Sequence, residues 1–126
     1  MDPMTESWVA KAELDLKTAA RELGAADSPN YESVCFHAHQ CAGRYLMARL
    51  QEEEVPFPET NHLVVLLHLC QDLEPKWNEF RSHLRTLTSY ANRSAESEWI
   101  PDESMAREAF ELCSAFRSQA RKSLGL

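Results

Sequence analysis

Glycine is scarce in this 126-residue sequence, with three in all, one of them (Gly125) beside the C-terminus. So few flexible positions exclude a Gly-rich phosphate loop, and neither a Walker-type Lys nor a Gly-x-Ser-x-Gly elbow occurs, which removes the common nucleotide hydrolases and ester hydrolases. Long apolar runs are missing too. The longest, Leu63-Val64-Val65-Leu66-Leu67, falls far short of the roughly 20 residues that cross a bilayer. The start, Met1-Asp2-Pro3-Met4-Thr5-Glu6, has neither a basic region nor an apolar stretch of signal-peptide length, so the expected location is the cytoplasm. Positive charge is outnumbered, 13 Lys and Arg against 20 Asp and Glu, and the net charge of -7 argues against a general nucleic-acid binder. Cys35, Cys41, Cys70 and Cys113 form no Cys-x-x-Cys pair and sit inside apolar helical patterns, which suits reduced core thiols and no disulfide. Strand alternation, internal repeats and low-complexity tracts are absent.

What remains is helical periodicity, punctuated by six prolines. The spacing predicts a helix over about Thr5 to Leu23 with Trp8, Ala12, Leu16, Ala19 and Leu23 on one stripe, ended by Gly24. A second starts near Ser28-Pro29-Asn30, with Ser28 as its cap, and runs to about Glu53, burying Val34, Ala38, Cys41, Tyr45 and Ala48. Pro56 and Pro58 make the acidic stretch after it a linker. A shorter helix follows over about Thr60 to Leu73, then one from Pro75 to Arg93 with Trp77, Phe80, Leu84, Leu87 and Ala91 inward. The last is capped by Asp102, carries Met105, Ala109, Leu112, Cys113, Phe116 and Ala120, and ends in the basic run Arg117 to Lys122. These amount to one all-α domain over residues 1–126, expected as an up-and-down four-helix bundle with one additional short helix.

The fourth helix also bears a basic arc. Stepping about 100° per residue from Arg81 puts Arg85, Thr88 and Asn92 within about 40° of it, beside the apolar stripe. From Pro75 to Ala95 the local net charge is +3. Guanidiniums flanked by Thr, Ser and Asn donors suit a phosphate, although a solvated face has the same look. Cys35 with His39, and His37 with Cys41, have the i,i+4 spacing of shared metal ligands, but a metal needs ligands from a second helix, and core packing is the simpler reading. Glu59-x-x-His62 stands alone, whereas a di-iron bundle needs two such pairs, so neither metal nor cofactor is expected.

One segment carries a family resemblance. Cys35-Phe36-His37-Ala38-His39-Gln40-Cys41-Ala42-Gly43-Arg44-Tyr45-Leu46 resembles the second helix of HEPN (higher eukaryotes and prokaryotes nucleotide-binding) domains, which reads Cys-Phe-His-Ala-Gln-Gln-Ala-Ala-Glu-Lys-Ala-Leu. Trp8, Ala12 and Asp15-Leu16 stand where that family opens its first helix. His62-Leu63 is similar to its His-x-Leu, and Leu87-Thr88-Ser89-Tyr90-Ala91-Asn92-Arg93 to the stretch ending in Arg-Tyr-Pro. The likeness spans roughly Ser7 to Lys122. Two places depart from it: Gly43-Arg44 replaces Glu-Lys, and Arg93-Ser94-Ala95 replaces Arg-Tyr-Pro.

The resemblance implies a helical bundle that dimerises, and in many members a metal-independent ribonuclease with an Arg and a His separated by four to six residues. No Arg here has a His at that spacing downstream; the positions after Arg93 hold Glu98, Trp99 and Ile100. The implied role is therefore non-catalytic or ligand-binding: a homodimer, partner of a small nucleotidyltransferase in a toxin-antitoxin-like pair, with a nucleotide or RNA as ligand. The expected phosphate contacts are Arg81, Arg85, Asn92, Arg93, Tyr90 and His62. Two alternatives are a ribonuclease toxin with a degenerate site around Arg93 and a purely structural dimeric module. Dimerisation is also suggested by Trp77, Tyr90 and Trp99, a large aromatic load for one small core.

Overall fold

The computed structural model describes residues 1–126. It contains five α-helices and no strand: α1 (Pro3–Leu23), α2 (Tyr31–Glu52), α3 (Leu63–Leu69), α4 (Arg81–Arg93) and α5 (Glu103–Ser123), with a 3₁₀ segment over Pro75–Phe80 ahead of α4. No helix is long and apolar enough to cross a membrane.

The caps follow side-chain chemistry. Asp2, Asn30 and Asp102 accept backbone N–H groups from Met4, Ser33 and Met105, so α1, α2 and α5 each begin on an acceptor that satisfies an orphan donor. Asn30 replaces Ser28 as the cap of α2. Ser28 has φ 47°, a left-handed turn residue outside the helix. Gly24 closes α1 at φ -90°, so its special freedom is not used. The third helix is only seven residues, shorter than its apolar pattern, because the chain turns at Cys70, whose N–H bonds back to the carbonyls of Leu66 and Leu67. The fourth is also shorter than Pro75 to Arg93: Pro75 starts a 3₁₀ turn, and α geometry begins at Arg81.

Hydrogen bonds set the helix directions. The start of α1 reaches the end of α2 through Asp2 N–H to Glu52, and the end of α1 reaches the start of α2 through Asn30 N–H to Glu22, so the two run antiparallel. Tyr90 of α4 meets Glu108 near the start of α5, while Trp77 ahead of α4 packs edge-on against Phe116 further along it, which makes that pair antiparallel as well. A main core of 23 buried residues draws on all five helices and centres on α2. Trp77 and Trp99 belong to it, 3% and 6% exposed, so one chain buries both tryptophans and the aromatic load ceases to argue for a dimer. All four cysteines are free and buried.

Gly43, in the middle of α2, lets α3 approach. A methyl at that position would stand 3.0 Å from Leu63 Cδ2. A glycine inside a helix costs about 1 kcal/mol relative to alanine, and here the close packing of Leu63 offsets it.

Candidate functional site

The site is built around the entry to α3. A helix leaves its first N–H groups without partners, and His62, which precedes α3 at φ -86° and ψ 97°, makes no side-chain cap. Neighbours supply what is missing. The Leu63 N–H donates to Thr88 Oγ1 of α4 at 3.2 Å, and the His62 N–H to Thr60 Oγ1 at 3.1 Å. On the other side, His39 Nε2 of α2 lies 2.8 Å from the Asn61 carbonyl, which makes that nitrogen the donor. His39 is 2% exposed, and burial holds its pKa below the ordinary histidine value. The ring is therefore a neutral clamp on the backbone just before His62.

This entry faces α4 across an open cleft of about 370 Å³, lined by His62, Val64, Arg85, Thr88, Ser89, Asn92 and Arg93. None of these residues is acidic, and two are guanidiniums, in a chain of net charge -7. Arg85 has no ion-pair partner; Arg93 has none either and lies over the Trp99 ring, its Cζ 5.5 Å from the centroid. That buried indole gives Arg93 a rigid platform while leaving its N–H fork free for a planar anion.

Of the six residues expected at this site, the fold gathers His62, Arg85, Asn92 and Arg93 in the cleft and takes two away. Arg81 shares the azimuth of Asn92, but 11 residues along a helix is about 16 Å, so it sits at the far end. There its Nε donates to Asn78 Oδ1 at 3.0 Å. Tyr90 turns toward α5, where its hydroxyl donates to Glu108, and that bond pushes its pKa up to about 12. Its ring leans on Trp99, with centroids 5.8 Å apart. Sequence reasoning missed Val64 as a wall of the cleft, and no periodicity signal marks it.

The HEPN domain family model matches residues 5–123. The chain belongs to the HEPN domain family. No curated protein and no solved structure matches it.

A second polar centre of this HEPN domain lies between α1 and α2 and was not expected. Asp15, 6% exposed, receives His37 Nδ1 on one carboxylate oxygen at 2.8 Å and Arg44 Nη1 on the other at 2.5 Å. The signal was available: Asp15 falls on the buried face of α1 between Ala12 and Ala19, and a carboxylate there demands partners. The pairing occupies His37, and His39 is engaged with Asn61, so the Cys–His spacings of α2 do not converge on an ion. No group of three His, Cys, Asp or Glu side chains is arranged to hold a metal in this HEPN fold. Burial lifts the Cys35 thiol to about 11, while a hydrogen bond with Cys113 together with burial raises Cys41 well above the ordinary thiol range.

Proposed function

We propose that this protein is a ligand-binding, non-catalytic HEPN protein whose α3–α4 cleft holds a phosphate group of a nucleotide. In this reading it acts as a homodimeric, cytoplasmic partner of a small nucleotidyltransferase in a toxin-antitoxin-like pair. One observation carries it: two guanidiniums without ion-pair partners, Arg85 and Arg93, line one cleft with His62, Asn92 and Ser89 and no carboxylate. Unopposed guanidiniums beside neutral donors favour a dianion over water and over neutral ligands. Family membership supports the setting, and Ile100, 86% exposed between Trp99 and Pro101, supplies an apolar contact for a second copy or a partner.

Titration with inorganic phosphate and with AMP, followed by thermal melting, tests the site. A specific ligand raises Tm as its concentration passes Kd, by a stabilisation of about 2.7 kcal/mol at a hundredfold excess over Kd. The rise should vanish in the Arg85→Ala/Arg93→Ala double variant. An unchanged Tm in the natural protein removes the nucleotide site and leaves the purely structural module. Mixing the protein with a nucleotidyltransferase encoded beside it, followed by gel filtration, tests the pairing: one common peak is expected, and separate elution at micromolar concentration counts against it.

A second reading has its own observation. No His follows Arg93 in sequence at the required spacing, but His62 lines the same cleft as Arg93, which supports a ribonuclease reading. A histidine able to move a proton beside guanidiniums able to hold a phosphodiester is the minimum for metal-free RNA cleavage. Cleavage of single-stranded RNA that disappears on His62→Ala establishes this activity, and intact RNA after long incubation at micromolar protein excludes it.

A further inference from the structure

On the opposite side of the α3 entry lies a cavity of different character. It measures about 350 Å³ and lies between α1, α2 and the linker before α3. One wall is apolar, made by Trp8, Met47 and Phe57, with the Trp8 and Phe57 rings edge-on at 6.2 Å. Gly43 of α2 lines it together with Leu63, whose Cδ2 packs over the glycine. The polar end holds Arg44, Gln40 and Asn61. Arg44 uses Nη1 for Asp15 and has no partner for its other N–H groups, and the Asn61 side-chain amide makes no hydrogen bond within the chain. The one carboxylate of the lining, Glu59, is exposed to solvent, where salt screens its repulsion of an anion.

An apolar pocket of a few hundred Å³ with a few convergent, unpaired polar groups is the general form of a small-molecule site. The aromatic wall selects a flat ring, because offset and edge-on ring contacts add to plain burial. The spare guanidinium edge selects an acceptor in the plane of that ring, and a carboxylate fits it with two parallel hydrogen bonds. The anion cleft of α4 has only Val64 as an apolar wall, so the two cavities differ in what they accept.

We infer that the α1–α2 cavity is a second ligand site, for a small planar aromatic carboxylate, with its ring against the wall that Trp8 and Phe57 form and its carboxylate on Arg44. The site is independent of the phosphate reading, since the two cavities share no residue.

Nitrogen–proton correlation spectra of the labelled protein, titrated with indole-3-carboxylate and with its neutral isostere indole-3-carboxamide, test the inference. Saturable shifts are expected at the Trp8 indole N–H and at the Gly43 and Asn61 amides, with the carboxylate bound at least about tenfold tighter than the carboxamide, the gain a charge-assisted contact brings. Phe57→Ala, a change in the linker, should weaken both probes severalfold. Arg44→Lys, which keeps a positive charge beside Asp15, should weaken the carboxylate alone. Three results overturn the inference: no saturable shift up to the solubility limit, equal affinity for the two probes, or shifts confined to Arg85 and Arg93. The probe pair is compared on the natural protein, so these outcomes decide the matter even if either variant fails to fold.

Discussion

The Tyr45 hydroxyl, wholly buried on α2, donates to Glu13 Oε2 of α1 at 2.5 Å. Arg117 of α5 grips both oxygens of the same carboxylate at 2.7 and 2.6 Å, and Arg121 donates to the Tyr45 hydroxyl at 3.1 Å. One carboxylate thus ties three helices together. Glu13→Ala leaves two guanidiniums and a buried phenol without their acceptor, and should lower unfolding stability by about 1–3 kcal/mol, measured by urea denaturation. The Arg117 hydrogen bonds hold the Glu13 pKa below its usual value, so its contribution is complete above about pH 4.5 and fades as pH falls through the folded-state value. At the alkaline end, burial and the Glu13 bond raise Tyr45 to about 12. Its share is present below pH 10 and lost as pH rises toward 12, a window in which Tyr45→Phe should flatten the stability curve.

His39 gives a third window, nearer neutrality. Burial lowers its pKa, so the folded protein resists the proton that the unfolded chain accepts. Stability should begin to fall as pH drops below 6.5 and continue falling until the folded value is passed. His39→Gln, which keeps a donor for Asn61 but cannot titrate, should remove the slope that urea midpoints show below pH 6.5. A slope that persists unchanged assigns it to another histidine.

The two residues that the fold removes from the cleft make a control for the phosphate site. Tyr90→Phe deletes the bond to Glu108, and Arg81→Ala the bond to Asn78, yet both should leave phosphate affinity within about twofold, as expected for sites that share no contact with the ligand. Arg85→Ala alone should weaken it about tenfold, the value of one charge-assisted contact. Isothermal titration with inorganic phosphate separates the two cases; a tenfold loss on Arg81→Ala would return that residue to the site.

Trp99 should matter to folding and ligand binding together. Its indole is buried in the core and also carries Arg93. Trp99→Leu should cost about 2–4 kcal/mol of stability through lost core packing and should weaken phosphate binding by loosening Arg93. Trp99→Phe, which retains a ring face, should recover most of the affinity.

The helices were legible because their stripes repeat at 3.6 residues and their ends carry Asp, Asn and Pro. The caps at Asp102 and the break at Pro75 need only neighbours in sequence. The site was legible in part. A helical projection keeps azimuth and discards height, which is why it sets Arg81 beside Asn92 although the two stand about 16 Å apart along α4. Nothing local says that Tyr90 faces Glu108, 18 residues away, or that Arg93 rests on Trp99 across a turn. The Asp15, His37 and Arg44 cluster spans two helices, and only the oddity of a carboxylate on a buried stripe pointed toward it. His62 could be named from the family likeness, but its place beside Arg93 comes from the α3 entry packing on α4.

That entry, residues 60–64, is a partition with a cavity on either side: Thr60, Asn61 and Leu63 line one, His62 and Val64 the other. A connection between helices ordinarily tolerates insertion, since a longer loop costs little. Here the alternation from Asn61 to Val64 assigns each side chain to its chamber, so adding or deleting a single residue there would exchange linings on both sides at once. The two chambers can drift in chemistry one side chain at a time, but the length of the wall between them is inherited as a unit.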